Sequence, residues 1–349
     1  MLAAVLHGAK NIRIEPRPVP ALSPGMVLLR VRRAGICGSD LHYFAHGYCG
    51  GFVPTRPFVL GHELTADVAA VAPDVATIHP GARVAVNPAC PCGKCDYCAG
   101  GRGNLCPHTI MLGSASTVPP TDGAFAQYVA VRASQCHLLP PEMDDGAGAL
   151  LEPLAVALHA VKRPGPLAGK RILVTGGGPI GLLVAQVARV FGATLIALSD
   201  PLPERRKTAL AFGVDAVVDP ASQKWPRKIQ SLVRDGFDVV FEASGAPAAL
   251  RQGFEQARRG GTIVQIGTLG AEEMAVPANQ IMSRELQWIG SFRYGDIFAE
   301  AIELAISGRV KLEPLISAIF PLSETARALE QSLRKEASMK VQVQIVHNS

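Results

Sequence analysis

Four cysteines, Cys92, Cys95, Cys98 and Cys106, stand in a C-x2-C-x2-C-x7-C arrangement. Consecutive x2 steps can bring thiolates round one ion, and the last arrives after the Gly-rich turn AGGRGN. Zinc takes four such ligands tetrahedrally at about 2.3 Å and, in a structural site, leaves no position open. A C-x-x-C redox pair and free buried thiols are the competing uses. Cys90 lies in the same run, but its C-x-C spacing to Cys92 holds two sulfurs less comfortably, so it is left out. Cys49 and Cys136 receive no role.

A second constellation lies mostly upstream. AGICGSDLHYF carries Cys37, Ser39, Asp40 and His42, LGHEL carries His62 and Glu63, and LLEPLAVALHA carries Glu152 and His159. A Cys, a His and a carboxylate from separated segments describe the catalytic form of a zinc site, with three protein ligands and one open position. Alone, Cys37 reads equally as a small core residue and His62 as a loop histidine. Glu152 follows the apolar GALL, and a carboxylate inside an apolar run needs a partner. The glycines flanking Cys37 and His62 point to close backbone approach.

A third pattern is GGGPIG. Gly176, Gly178 and Gly181 fit G-x-G-x-x-G, with Pro179 and Ile180 between the last two. The β-rich run Arg171 to Thr175 precedes it, and a helical stretch to about Phe191 follows, with Gly192 as its stop. Pro179 falls in the first helical turn, where a missing N–H does no harm. A further strand, Thr194 to Ser199, leads to Asp200, nineteen residues past Gly181 and about where a ribose-binding carboxylate belongs. The helix N-terminus would offer its N–H groups to a pyrophosphate. Asp200 would accept from the ribose 2′-hydroxyl and repel a 2′-phosphate, which favours NAD. Arg205 and Arg206 are near enough to leave NADP open.

These residues need elements to hold them. DAVVD, FDVVFEASG and GTIVQIG read as further strands with helical stretches between, and ELQWIGSF adds another near Trp288. Such alternation predicts an α/β unit with a doubly wound parallel sheet. The region before Gly146 has frequent Gly and Pro turns and few helical periods, so it reads as mainly β. After Ser291 come two helical patterns and a closing strand, KVQVQIV, which lies outside the nucleotide unit and is expected to rejoin the first domain.

Bulk properties exclude other classes. With 349 residues, at about 150 per domain, two domains are expected. A hydrophobic fraction of 48% against 18% charged residues is that of a soluble globular chain, not a disordered one. The net charge of +5 is scattered without a basic stripe, which argues against nucleic acid as a partner. MLAAVLHGAKNIRIEP breaks its apolar run at His7 and Lys10, so no signal-peptide core is read, and no apolar run reaches membrane-span length. A cytoplasmic chain is the expectation, where clustered cysteines favour metal over disulfides.

Together, GICGSDLHYF, LGHE, EPLAVALHA, GPIGL and SFRY resemble the zinc-dependent medium-chain dehydrogenases over nearly the whole chain, and within them the sorbitol and polyol branch. VNPACPCGKCDYC, LGSAS and DGAFAQY resemble a member of that branch acting on a sugar acid. The resemblance implies a mainly-β GroES-like catalytic domain at 1–155, rejoined by 290–349, and a Rossmann domain at 156–289. It implies two zinc ions: a structural one at Cys92, Cys95, Cys98 and Cys106, and a catalytic one at Cys37, His62 and a carboxylate. That carboxylate is Glu63, directly or through water, or Glu152. Ser39 would contact the substrate oxygen and begin a proton relay, which His42 continues toward solvent by way of the cofactor ribose. Arg293 and Tyr294 would reach the substrate, the C5 alcohol of L-idonate or a neutral polyol such as sorbitol or xylitol. Arg56 is a second arginine considered for an acid. A homodimer or homotetramer is implied. Pro201 and Pro203, just after Asp200, depart from the family pattern and bear on the adenosine pocket.

Overall fold

The computed structural model describes residues 1–270 and 273–345. The chain divides into two units. One comprises Met1–Glu152, Phe298–Ile306 and the chain from Leu312, and the other Pro153–Ile297 and Ser307–Lys311. The expected bounds were 155/156 and 289/290. The second unit continues beyond strand Gln287–Gly290, which pairs with Ala257–Gln265. It also takes in Lys311, whose N–H donates to Gln186 Oε1 (2.8 Å) and whose carbonyl accepts from Gln186 Nε2 (3.3 Å).

In the first unit, strand Met26–Gly35 is the hub. It pairs antiparallel with Glu63–Val71, Tyr128–Arg132 and Lys340–Gln344. Val27, Leu29 and Val31 alternate along it and are wholly buried, as the two-residue strand period requires. The tail thus rejoins the first unit, through the strand begun by KVQVQIV; its Val346 lies outside the described residues. Strand Ile316–Pro321, which pairs in parallel with Lys340–Gln344, was not anticipated. Nor was helix Gly38–His46, set inside the region read as mainly β. Its GSD opening carries turn-forming residues but is the first helical turn: Asp40 accepts the Cys37 N–H at 2.9 Å and starts the helix.

The second unit is a six-stranded, all-parallel sheet. Its order is Ala216–Val218, Leu195–Ser199, Arg171–Thr175, Phe237–Glu242, Ala257–Gln265, Gln287–Gly290. The chain direction across the sheet reverses between Arg171–Thr175 and Phe237–Glu242. In open sheets of this kind, ligands bind outside the carboxyl ends of the strands at that point. Among the described residues no helix is long and apolar enough to cross a membrane.

Candidate active site

Ligand atoms of Cys37, His62 and Glu63 lie within 4.8 Å of one another. Three elements position them. Cys37 caps helix Gly38–His46, His62 closes the turn before strand Glu63–Val71, and Glu63 begins that strand. Asp40, fully buried, ties the first two together. One oxygen accepts from Cys37 N–H, the other from Gly61 N–H at 3.1 Å, and the latter lies 3.8 Å from His62 Nδ1. Burial raises the Asp40 pKa, with His62 opposing. For His62, burial works against a charge, but Asp40, Cys37 and Glu152 prevail and raise its pKa well above 6.5. A thiol, an imidazole and carboxylates are a donor set that fits zinc.

Glu63 has a partner that the sequence did not reveal. Lys340 Nζ donates to both Glu63 oxygens, at 2.7 and 2.8 Å, and to the Ile36 carbonyl at 3.0 Å. All three ammonium donors are thereby satisfied in a site where Lys340 is 4% and Glu63 1% exposed. Gly35 faces Glu63 across the strand pair, and a Cβ there would come within 2.1 Å of Glu63 Oε2. Glu152, in the first turn of helix Leu151–Lys162, stands outside the close trio, yet it acts electrostatically on both His62 and Lys340.

Ser39 and His42 sit three residues apart on helix Gly38–His46 and so share a face. Partial burial, then His46 and Lys335, lower the His42 pKa below 6.5. The imidazole is thus neutral near pH 7 and able to accept a proton.

The four-cysteine lobe closes on itself, with the thiols of Cys92, Cys95, Cys98 and Cys106 within 4.8 Å of one another and Cys90 outside. Every cysteine is free of disulfides. Burial acts against a Cys106 thiolate, but backbone N–H groups of Cys92 and His108 donate to its sulfur and bring it down to about 6. Cys98 is pushed up to about 11 by burial and its Cys95 neighbour. The four sulfurs fit one tetrahedral zinc.

In the second unit, Gly178 caps helix Pro179–Val190 with Pro179 at its start, as the motif requires. Gly176 has φ of 102°, and a Cβ on Gly181 would lie 1.8 Å from the Gly176 carbonyl oxygen, so both positions need glycine. Asp200 is buried. Its Oδ2 accepts from Gly177 N–H at 2.7 Å and its Oδ1 from Leu202 N–H at 2.8 Å. Pro201 has no N–H to give, and Pro203 begins the next helix, so both prolines fit the turn. Arg206 is committed to the Asp200 and Pro201 carbonyls and to Asp219. Arg205 lies over the glycine loop, 3.9 Å from Asp200 Oδ2.

Arg293 and Tyr294 also belong to this unit. Tyr294 is buried, and Arg293 adopts a left-handed backbone (φ 51°) with its guanidinium 4.8 Å from the Phe292 ring centre. That conformation is uncommon for a non-glycine residue and clusters at functional sites. Arg56 is engaged elsewhere: it donates to the Pro57 and Pro120 carbonyls and pairs with Asp122 at 3.4 Å, which makes it a loop tether rather than a free guanidinium for an acid.

Residues 179–307 match the zinc-binding dehydrogenase family, and residues 23–141 the alcohol dehydrogenase GroES-like domain. The chain is 37% identical to sorbitol dehydrogenase of Bacillus subtilis over 345 residues, 98% of this chain and 97% of that one. It superposes on the crystal structure of L-idonate 5-dehydrogenase from Escherichia coli K-12 with a TM-score of 0.93 and 34% identity, covering 99% and 98% of the two chains. A zinc-binding dehydrogenase from Sinorhizobium meliloti bound to NADP superposes with a TM-score of 0.88 at 33% identity, covering 99% of each chain. A GroES-like unit joined to a Rossmann unit, with matches spanning nearly all of the sequence, leaves one assignment: the chain belongs to the zinc-dependent medium-chain alcohol and polyol dehydrogenases.

Proposed function

We propose that this enzyme uses NAD to oxidise the C5 alcohol of L-idonate to 5-keto-D-gluconate. The observation that carries the sugar-acid reading is Arg293, held by an unusual backbone next to the buried Tyr294. A guanidinium suits a carboxylate. The likeness to the E. coli idonate enzyme supports it. The likeness to the B. subtilis sorbitol enzyme favours a second reading, a neutral polyol.

Cys37, His62 and either Glu63 or Glu152 would hold the catalytic zinc, and the four-cysteine lobe the structural one. Zinc at the first site supplies a Lewis acid that eases loss of the alcohol's proton. Ser39 would accept that proton while passing its own hydroxyl proton on, by way of the cofactor ribose, to His42, neutral and one turn further along. Gly176, Gly178 and the N-terminus of helix Pro179–Val190 would seat the pyrophosphate, and Asp200 the adenosine ribose.

The deciding experiment is initial-rate NAD reduction on L-idonate, sorbitol and xylitol, with 5-keto-D-gluconate in reverse. Idonate is expected to be the best alcohol. Much faster turnover of sorbitol or xylitol would replace the sugar-acid reading with the polyol one. Arg293→Lys refines it, because lysine cannot reproduce a planar two-pronged contact. Losing a charge-assisted contact of ~1.5–3 kcal/mol predicts a fall in kcat/KM of about ten- to a hundred-fold on idonate, with sorbitol less affected. Equal losses on both would assign Arg293 to hydroxyls or to the fold.

Asp200→Ala is expected to weaken NAD binding by about ten- to a hundred-fold, on the same ~1.5–3 kcal/mol. Two effects act in one direction: loss of the ribose acceptor, and release of the Gly177 and Leu202 N–H groups it holds. Fluorescence titration with NADH and NADPH measures it. A wild-type enzyme that accepts NADP as readily as NAD would remove Asp200 from this role.

A further inference from the structure

We infer that Glu242 is the positioning residue for the nicotinamide half of the cofactor pocket, a role that rests on the dinucleotide reading above. Glu242 is the last residue of strand Phe237–Glu242 and is completely buried. Through it, the loops after three neighbouring strands are joined. Its Oε1 accepts from the N–H groups of Ser244 (2.8 Å) and Gly245 (2.9 Å) and from the Ser244 hydroxyl. Its main-chain carbonyl accepts from Ile266 (2.8 Å) and Gly267 (3.0 Å), which follow strand Ala257–Gln265. Ser244 in turn lies against Gly176 of the glycine loop, where a Cβ would come within 2.9 Å of the Ser244 N.

The packing leaves no slack. A Cβ at Gly267 would lie 2.2 Å from Gly245 N and 2.6 Å from Glu242 Oε2. That Oε2 is buried without a hydrogen-bond partner, as is the hydroxyl of Thr175, the register partner of Glu242 on the adjacent strand. A buried polar atom left unsatisfied works against stability, so its presence calls for another reason. The reason offered by the geometry is shape: Oε1 folds the loop after its own strand, and Oε2 is packed against Gly267 of the next loop.

Strand order says which half of the cofactor those loops face. Asp200 follows Leu195–Ser199, on one side of the switch point, and marks the adenosine side. The loops tied by Glu242 follow Phe237–Glu242 and Ala257–Gln265, on the other side. A dinucleotide laid across the switch point puts its nicotinamide half over them.

The test is calorimetric titration of the zinc-loaded enzyme with NAD, and separately with AMP, which carries only the adenosine half. Glu242→Gln keeps the size but replaces the charged acceptor. It should weaken NAD by about tenfold, the scale of losing charge assistance, and leave AMP within about twofold. Gly267→Ala, which must push the same loops apart, should give the same split and decides the matter if Glu242→Gln does not fold. Equal weakening of NAD and AMP would mean a general structural role, and unchanged NAD affinity would remove the role altogether; either overturns the inference. A wild-type enzyme binding neither NAD nor NADP would instead overturn the dinucleotide reading on which it rests.

Discussion

Cys37→Ser is expected to yield a folded protein whose activity on any alcohol has fallen by at least about a thousandfold. A Lewis acid at this site is worth several kcal/mol of charge stabilisation, and ~4 kcal/mol corresponds to three powers of ten in rate. The fold should survive, because Cys37 is only half-buried and its part in capping helix Gly38–His46 is a backbone N–H donated to Asp40. Cys95→Ser should behave differently. It opens the four-thiol lobe, which among its cysteines buries only Cys106, and should lower yield and thermal stability. Elemental analysis is the decisive readout: two zinc ions per wild-type chain and one in Cys37→Ser. One zinc or fewer in fully folded wild type would defeat the two-site assignment.

Lys340→Met should lower folding stability by about 3–5 kcal/mol, the usual consequence of removing one partner from a buried ion pair. The effect comes from Glu63, left charged and enclosed with neither of its two contacts from Lys340. Adding Glu63→Gln should recover much of the loss, since the uncompensated charge disappears. Urea unfolding of the single and double variants measures both steps, and a single variant as stable as wild type would show that the pair carries no such weight. The pH dependence follows from the sign of the Lys340 shift. Burial lowers its pKa, but Glu63 and Cys37 outweigh burial and raise it above 10.5. The lysine's side of the pair is then fully charged below 10.5 and is lost as pH rises through the still higher folded-state value. Neutral and mildly alkaline buffers should leave it untouched.

The parts of this site legible in the sequence were those whose chemistry is local. Cys92 to Cys106 and Gly176 to Gly181 lie in short runs whose spacing nearly dictates geometry. Asp200 was legible because a strand of known rise carries it a fixed distance from the glycines. Lys340 was not, because 277 residues separate it from Glu63 and only the sheet brings them together. Its one signal was a lysine heading a strand of alternating valines and glutamines. Asp40 was visible as a residue but not as the link between Cys37 and His62, since its contact with Gly61 depends on a turn that no periodicity describes. Helix Gly38–His46 escaped for a related reason: its Gly, Ser and Asp opening carries turn chemistry, and nine residues give too few helical periods to outweigh it.

The pairing of Met26–Gly35 with Lys340–Gln344 also sets an order of events during synthesis. Lys340 leaves the ribosome 188 residues after Glu152 (340 less 152), behind every residue of the nucleotide unit. At ~5–20 residues per second that interval is about 10 to 40 s. Throughout it, the Arg33–Gly35 end of the hub strand has no neighbour on the side that Gln342–Gln344 later occupies, and Glu63 has no cation. Until then the first unit lacks both the strand that completes this sheet and the cation that pairs with Glu63. Chaperone demand and the toxicity of prematurely terminated chains should both concentrate in that window.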